Sequence, residues 1–375
     1  MTVCRADRSR AGKDAGVEDG VGVRRLTLIV PGDPDQPTGG YRYDARVAEE
    51  LRGLGIGVDV MGLAGCFPDP DEQARAALDT TLRDLPDDHV VVIDGLALGG
   101  LPEIAHRHAE RLSLIALVHH PLADETGTAP ELRRRLLAAE TRALAACRRI
   151  VTTSAFTARR LAELGVNHDH VRVVPPGVDP AAPGGSSDSA VQRLLCVGSL
   201  VPRKGQDLLV EALAGMKALS WQLELVGDPD RNPEFAEMLR AMIDRRGLAA
   251  RVDIRGVQDQ DTLDATYRNA DLLVVPSHYE GYGMVITEAL ARALPMITTT
   301  GGALIDTVPP GAALQVPPGE TDALAGALRR WFDEPELRAE KRAGAAEARH
   351  SLDDWTATGR RFADALNLET ERARA

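Results

Sequence analysis

Residues 272–288 read LLVVPSHYEGYGMVITE. The apolar run at the beginning is typical of a buried strand, and the stretch from Glu288 onward, EALARA, has the period of a helix. The glycines between them therefore occupy a turn from a strand to a helix. Such a turn presents backbone N–H groups and the positive end of a helix dipole to an anion. The flanking carboxylates of Glu280 and Glu288 suit hydroxyl groups instead, so this stretch predicts a pocket for a sugar-phosphate ligand.

Short apolar runs and helical patterns alternate in the same way along most of the chain. Predicted strands are 26–30, 58–61, 90–93, 114–118, 150–153, 171–174, 194–197, 223–226, 252–254, 272–275, 296–298 and about 313–316. Helical patterns cover 43–54, 131–147, 155–164, 206–216, 234–246, 263–269, 288–293, 321–332 and 353–366. This alternation is typical of an α/β fold in which parallel sheets carry helices on both faces.

The chain has 375 residues, a length that suggests about two domains. Residues 180–188, PAAPGGSSD, have almost nothing to bury and predict a linker. The expected segments are a disordered tail at 1–24, a first domain at 25–180, a linker at 181–192, a second domain at 193–350, and a C-terminal helix at 351–375 that packs back toward the first domain. Both domains are predicted to be Rossmann-like and to face each other across a cleft, where ligands bind at the carboxyl ends of the strands.

Composition and charge exclude several classes of protein. The net charge of −12 argues against a nucleic-acid partner. The four cysteines form no CxxC pair, no apolar run approaches the ~18 residues of a membrane helix, and residues 1–24 lack the apolar segment of a signal peptide. These features predict a cytoplasmic protein with reduced cysteines. No G-x-G-x-x-G motif follows the first strand of either half, which argues against a nicotinamide-dependent dehydrogenase.

A second motif, VGSLVPRKG, occupies residues 197–205. A predicted strand ends at Gly198 and a helix begins near Gly205, so Arg203 and Lys204 lie at a helix N-terminus in the cleft. A guanidinium, an ammonium and a helix end are the groups that a diphosphate requires. Lysine is rare in this chain, which makes Lys204 more informative than an ordinary surface lysine.

Taken together, these motifs resemble the retaining glycosyltransferases of family 4, which have the GT-B fold of two Rossmann-like domains with parallel sheets. Further matches are ALPMIT at 293–298, VPPGVD at 174–179, and Gly39-Gly40 after the first strand. The resemblance covers nearly all of residues 26–366 and is stronger in the second domain than in the first. At one position the chain departs from the pattern: many relatives have an arginine directly after Gly198, and this chain has Ser199.

The resemblance implies a role for each matching residue. Arg203 and Lys204 would hold the diphosphate, Glu288 the ribose and Glu280 the donor sugar, and His119 would orient the sugar and the acceptor. The implied catalytic residues are His119, Glu280, Lys204 and Arg203. The implied donor-binding residues are Gly39, Gly40, Gly198, Arg203, Lys204, Gly256, Val257, Glu280, Gly281, Tyr282, Gly283, Met284, Val285 and Glu288. On the acceptor side the expected residues are His120 and Ser154. His120 could take the role of His119 if the register differs by one residue, and Ser154 also suits the N-cap of a helix.

The implied reaction moves a sugar from a UDP-sugar, or a GDP-sugar, to a hydroxyl group with retention of configuration. No cofactor or metal is expected, because Asp69-Pro70-Asp71 begins a helical pattern and reads as a cap rather than a metal site. The acceptor stays open between a small molecule, a glycan and a lipid. The arginines of residues 131–149 suit a membrane-surface helix, although a solvated amphipathic helix is favoured. Two other functions stay open: a sugar-nucleotide epimerase or hydrolase of the same fold, and a non-catalytic binding protein.

Overall fold

The computed structural model describes residues 25–184 and 191–367. The tail expected at 1–24, residues 185–190 of the expected linker, and residues 368–375 lie outside this range. Within the described residues the strands form two six-stranded sheets in which the paired strands run parallel. The α/β prediction and the two Rossmann-like domains are therefore confirmed.

The first sheet has the order β2-β1-β3-β4-β5-β6 and the second has the order β12-β11-β10-β7-β8-β9. The strands of the first sheet are β1 Arg25–Pro31, β2 Gly57–Leu63, β3 Val90–Asp94, β4 Ser113–Val118, β5 Arg149–Thr152 and β6 Val171–Val173. Those of the second sheet are β7 Gln192–Val197, β8 Trp221–Val226, β9 Val252–Gly256, β10 Leu272–Val275, β11 Met296–Thr299 and β12 Ala313–Val316. Every strand predicted from an apolar run is present.

Helices connect the parallel strands, as such crossovers require. In the first domain they are α1 Gly39–Gly53, α2 Glu72–Asp84, α3 Gly95–Leu98, α4 Pro102–His108, α5 Pro130–Ala145 and α6 Ala155–Glu163. The remaining helices are α7 Gln206–Ala214, α8 Pro233–Arg245, α9 Gln260–Asn269, α10 Met284–Ala291, α11 Leu304–Thr307, α12 Thr321–Asp333, α13 Pro335–Ala348 and α14 Trp355–Ala365. Asp71 caps α2 as expected, with its carboxylate accepting the backbone N–H of Ala74 at 2.8 Å.

Each sheet is buried on both faces. Alternate residues of β1 show this, because Leu28 packs into the cluster formed with α1 whereas Ile29 packs into the cluster on the opposite face. Two-sided burial explains why the strands read as continuous apolar runs. The last helix, α14, packs against α1, and its Trp355 and Phe362 are buried in the same cluster as Leu28.

This arrangement brings the carboxyl ends of both sheets to a common cleft. The loops after β1, β3 and β4 reach it from the first domain, and those after β7, β8 and β10 reach it from the second. No helix in the described part of the chain is long and apolar enough to cross a bilayer.

Candidate functional site

The turn between β10 and α10 forms the centre of the site. Helix α10 begins at Met284, four residues before the expected start at Glu288. Its N-cap, Gly283, has φ +86°, and a Cβ there would lie 2.9 Å from the side chain of Leu304, so the position requires glycine. The backbone N–H groups of the first helical turn have no acceptor within the helix. Those of Met284 and Val285 are therefore suited to an anion.

Glu280 is a buried carboxylate held by two cations and a hydroxyl. Its Oε1 lies 2.6 Å from Nζ of Lys204 and accepts a hydrogen bond from Oγ of Ser277 at 2.6 Å. Its Oε2 lies 3.3 Å from Nη1 of Arg203. Burial opposes ionisation of Glu280, but the charges of Lys204 and Arg203 outweigh it and lower its pKa to about 2. Three residues predicted separately from two motifs therefore form one charged cluster.

Arg203 also reaches across the cleft to the first domain. Its Nε lies 3.3 Å from Oε1 of Glu125, in the loop after β4, and the other oxygen of Glu125 lies 3.1 Å from Nε2 of His120. Burial opposes ionisation of Glu125, but the hydrogen bond from His120 and the charge of Arg203 lower its pKa to about 2. Glu280 and Glu125 thus neutralise the predicted diphosphate-binding cations.

Glu288 lies further along α10, and both of its oxygens are bound. Oε2 accepts a hydrogen bond from the hydroxyl of Tyr267 at 2.7 Å, and Oε1 lies 3.1 Å from Nη1 of Arg42 in the first domain. A narrow pocket lies beside this carboxylate, between α9, α10 and residues 177–179. Tyr267 and Arg42 therefore fix the orientation of the carboxylate predicted to bind ribose.

His119 follows β4 and faces the same cleft. Its Nε2 lies 3.1 Å from Oδ1 of Asp44 and 3.6 Å from Oδ2 of Asp94, and Tyr43 packs edge-on at 5.5 Å. Burial opposes protonation of the imidazole, but the charges of Asp44 and Asp94 outweigh it and raise its pKa to about 9. Burial in turn raises the pKa of Asp94 to about 7. His119 is accordingly a cation at neutral pH.

Glycines bring the His119 loop and the donor loop into direct contact. A Cβ at Gly281 would overlap the carbonyl oxygen of His119, and a Cβ at Gly40 would lie 3.4 Å from the His119 ring. A Cβ at Gly39 would lie 3.8 Å from the sulfur of Met284. The predicted residues of the first domain are therefore in contact with those of the turn before α10 in the second domain.

The remaining predicted residues lie around this centre. Gly198 packs against the side chain of Lys204, and the backbone oxygen of Tyr282 accepts a hydrogen bond from Thr307. Ser154 caps α6, with its hydroxyl accepting the backbone N–H of Thr157 at 3.0 Å. Gly256 and Val257 lie at the end of the edge strand β9, two strands away from β7, and the backbone oxygen of Gly256 accepts the N–H of Gly227 at 2.9 Å.

Sequence reasoning did not identify several polar residues of the site: Arg42, Asp44, Asp94, Glu125, Tyr267 and Ser277. A usable signal existed for two of them, because Asp94 ends β3 and Ser277 follows β10 at the carboxyl edge of each sheet. The others lie on helices or in loops and become significant only through contacts with distant residues.

Among residues 25–184 and 191–367, one group of three side chains could hold a metal ion. Asp44, Asp94 and His119 place their ligand atoms within 4.8 Å of one another. The same three side chains form a buried ion-paired cluster, in which Nε2 of His119 contacts both carboxylates.

Known proteins resemble this chain in sequence. The family model "Glycosyl transferases group 1" matches residues 186–348, and "Glycosyltransferase Family 4" matches residues 73–182. The chain is 33% identical to a D-inositol 3-phosphate glycosyltransferase of Acidothermus cellulolyticus, over 87% of this chain and 84% of that protein. A second D-inositol 3-phosphate glycosyltransferase, from Thermomonospora curvata, is also 33% identical, but the match spans 62% of this chain and 59% of that protein.

Solved structures share the fold. Sucrose-phosphate synthase from Thermosynechococcus elongatus superposes with a TM-score of 0.76 at 21% identity, covering 91% of this chain and 98% of that one. An Anabaena protein solved in complex with UDP-glucose has a TM-score of 0.70 at 18% identity, and the match covers 91% of this chain and 99% of that one. The two domain models and the identity to the Acidothermus protein show that this chain belongs to the family 4 glycosyltransferases.

Proposed function

We propose that this glycosyltransferase moves a sugar from a nucleoside-diphosphate donor to a hydroxyl group, with retention of the anomeric configuration. The observation that carries the proposal is the cluster of Arg203, Lys204 and Glu280 at the N-terminus of α10. Cations and helix-end N–H groups suit a departing diphosphate, and a buried, ionised carboxylate suits sugar hydroxyls. Glu288, on the same helix, is placed to accept hydrogen bonds from a ribose.

Electrostatic stabilisation of the leaving group is the main catalytic effect in this proposal. Lys204, Arg203 and the helix end hold the diphosphate as the bond between the anomeric carbon and the phosphate oxygen breaks. The acceptor hydroxyl attacks from the same face and passes its proton to the departing phosphate oxygen. His119 acts as a hydrogen-bond donor to the sugar, because a protonated imidazole cannot take up a proton. Closure of the cleft excludes water and limits hydrolysis of the donor.

The reaction requires no metal in this proposal, since Lys204 and Arg203 supply positive charge at the leaving group. UDP is the nucleotide to test first, because a protein with this fold binds UDP-glucose, and GDP is the second. Activity that persists in excess EDTA would support a metal-independent reaction. Loss of activity that Mg²⁺ restores would contradict it.

The proposed acceptor is a small polyhydroxylated molecule. The Acidothermus relative is named a D-inositol 3-phosphate glycosyltransferase, which supports a cyclitol or a similar polyol as the acceptor here. The basic helix α5 gives less support to a lipid acceptor, because several of its arginines are paired with carboxylates: Arg134 with Glu131, Arg135 with Asp69, and Arg142 with Glu103. Membrane contact is therefore not part of the proposal, and flotation with anionic liposomes would test that choice.

The proposal is tested with UDP-sugars and GDP-sugars, each incubated with a panel of polyols and followed by mass spectrometry. Lys204→Ala should weaken nucleotide binding by about tenfold or more in calorimetry, since it removes a charge-assisted contact. Circular dichroism checks that the variant is folded. Unchanged affinity would contradict the diphosphate site. Rapid conversion of the donor without any acceptor would instead favour an epimerase or a hydrolase.

A further inference from the structure

Arg231 lies at the mouth of the cleft, in the loop between β8 and α8. Its Nη1 donates to Oε1 of Gln36, which belongs to the loop between β1 and α1 of the first domain, at 3.0 Å. The amide nitrogen of Gln36 donates to the backbone oxygens of Asp33 and Pro31 at 3.0 and 3.4 Å. These two bonds fix the amide, so that its oxygen faces the guanidinium.

The charge of Arg231 is not neutralised by this contact. In the described part of the chain, no carboxylate lies within ion-pair distance of its guanidinium. The other cations that line the cleft differ in this respect, because Arg203 and Lys204 contact Glu280 and Arg42 contacts Glu288. Arg231 is therefore a cation of the cleft whose identified partner is a neutral amide.

The loop that carries Arg231 packs directly on the loop that carries the second-domain motif. The backbone N–H of Leu200 donates to the oxygen of Asp228 at 2.9 Å. A Cβ at Gly227 would lie 2.8 Å from the backbone nitrogen of Ser199. The loop that carries Arg231 thus adjoins Ser199 and Leu200 through its first residues, Gly227 and Asp228.

A count of charges shows what the site lacks. Arg203 and Lys204 bring two positive charges, and Glu280 and Glu125, which contact them, bring two negative charges. The diphosphate of a nucleotide-sugar adds roughly two more negative charges. The cluster has no net charge of its own, and Ser199 offers a hydroxyl rather than a positive charge. An additional cation in the cleft would therefore strengthen diphosphate binding beyond what Arg203, Lys204 and the N-terminus of α10 supply.

We propose that Arg231, in the loop after β8, binds the diphosphate of the donor. Gln36 holds the side chain at the cleft until the donor is bound. Arginine suits this task because its planar fork binds two phosphate oxygens at once. The inference rests on the proposed function, and it assigns a residue that neither the sequence motifs nor the family resemblance singled out.

The test measures nucleotide affinity by calorimetry in the absence of an acceptor. UDP and GDP are both titrated, and the one that binds the wild type more tightly is used. Arg231→Ala should weaken its affinity about tenfold, the usual scale for one charge-assisted contact. Arg231→Ala should weaken the affinity for the nucleoside monophosphate, which has one phosphate fewer, by a smaller factor. Adding Ser199→Arg to Arg231→Ala should recover the affinity, a result that a merely structural role of Arg231 would not produce.

The matched control is Arg240→Ala, which removes an exposed arginine on α8 and should leave affinity unchanged. If Arg231→Ala leaves affinity unchanged while Lys204→Ala weakens it, the role of Arg231 is overturned and the proposed function stands. If neither UDP nor GDP binds the wild type, both proposals are overturned.

Discussion

The charge of His119 is set by two carboxylates. Asp44 and Asp94 lie on different elements, α1 and the end of β3, and both approach Nε2 of the same ring. Their charges raise the pKa of His119 to about 9, above its ordinary value of 6.5. Because the folded state holds this proton more tightly than the unfolded chain, the resulting stabilisation is complete below about pH 6.5. It is lost as the pH rises through about 9.

Asp44→Asn should lower the pKa of His119, because it removes the closest negative charge and leaves the opposing effect of burial. The decline in stability between about pH 6.5 and 9 should become shallower in the same variant. NMR titration of the imidazole protons measures the pKa, and urea unfolding at several pH values measures the stability. Glu49→Gln, which removes a carboxylate from the exposed face of the same helix, is the control. An unchanged pKa in Asp44→Asn would show that Asp44 does not determine the charge of His119.

At the scale of elements, the turn before α10 does two things at once. Gly283, the N-cap of α10, adopts the left-handed backbone conformation from which the helix begins. Gly281 has no side chain, so the carbonyl of His119 can approach its backbone closely. The requirement at Gly283 lies within its own domain. The requirement at Gly281 lies at the contact between the two domains, so a change at Gly281 should affect closure of the cleft rather than folding.

Gly281→Ala should therefore retain nucleotide affinity within about threefold while lowering kcat/KM by about a hundredfold, the effect of a misplacement of roughly 1 Å. The added methyl would meet the His119 backbone of the other domain, whereas the cluster of Lys204 and Glu280 stays intact. Calorimetry and steady-state kinetics separate the two effects. Gly326→Ala, in α12 with nothing within 4 Å of the new methyl, should leave both unchanged. Full activity in Gly281→Ala would show that the close approach is not needed for turnover.

The strands were predictable because a sheet buried on both faces requires continuous apolar runs, as residues 272–275 show. The start of α10 was not predictable from the sequence, because its first turn, Met284 to Thr287, contains the β-branched residues that strands favour. Helix α13 was missed for a different reason: PELRAEKRAGAAEA has few large apolar side chains and buries only Leu337 and Ala345. A helix without an apolar stripe gives no periodic signal.

The charged partners of the site were beyond the reach of sequence motifs. Asp44 lies 75 residues from His119, and Arg42 lies 246 residues from Glu288. Only the tertiary fold brings such pairs together, and many other carboxylates in this acidic chain look the same in the sequence. The donor motifs were visible because strand, glycine turn and helix follow one another within a single short stretch.

At the scale of the whole molecule, polar contacts bridge the cleft and one helix joins the domains. Arg42 with Glu288, Arg159 with Asp306 and Tyr279 with Asp124 link side chains of the two domains. Helix α14 follows the second domain in the chain but packs in the core of the first. Its Trp355 lies 6.1 Å from Tyr43 between ring centroids, and the hydroxyl of Thr358 donates to the backbone oxygen of Pro175.

Trp355→Ala should therefore destabilise the first domain, by about 3–5 kcal/mol for the loss of a buried aromatic side chain. Hydrogen exchange followed by mass spectrometry measures each domain separately, and protection should fall in β1, β3 and α1 while β7 and β8 are little changed. Trp331→Ala is the matched variant, because Trp331 is fully buried among the side chains around β7 and α7. It should produce the reverse pattern. If Trp355→Ala reduces protection in the second domain instead, α14 belongs energetically to the domain that precedes it in the chain.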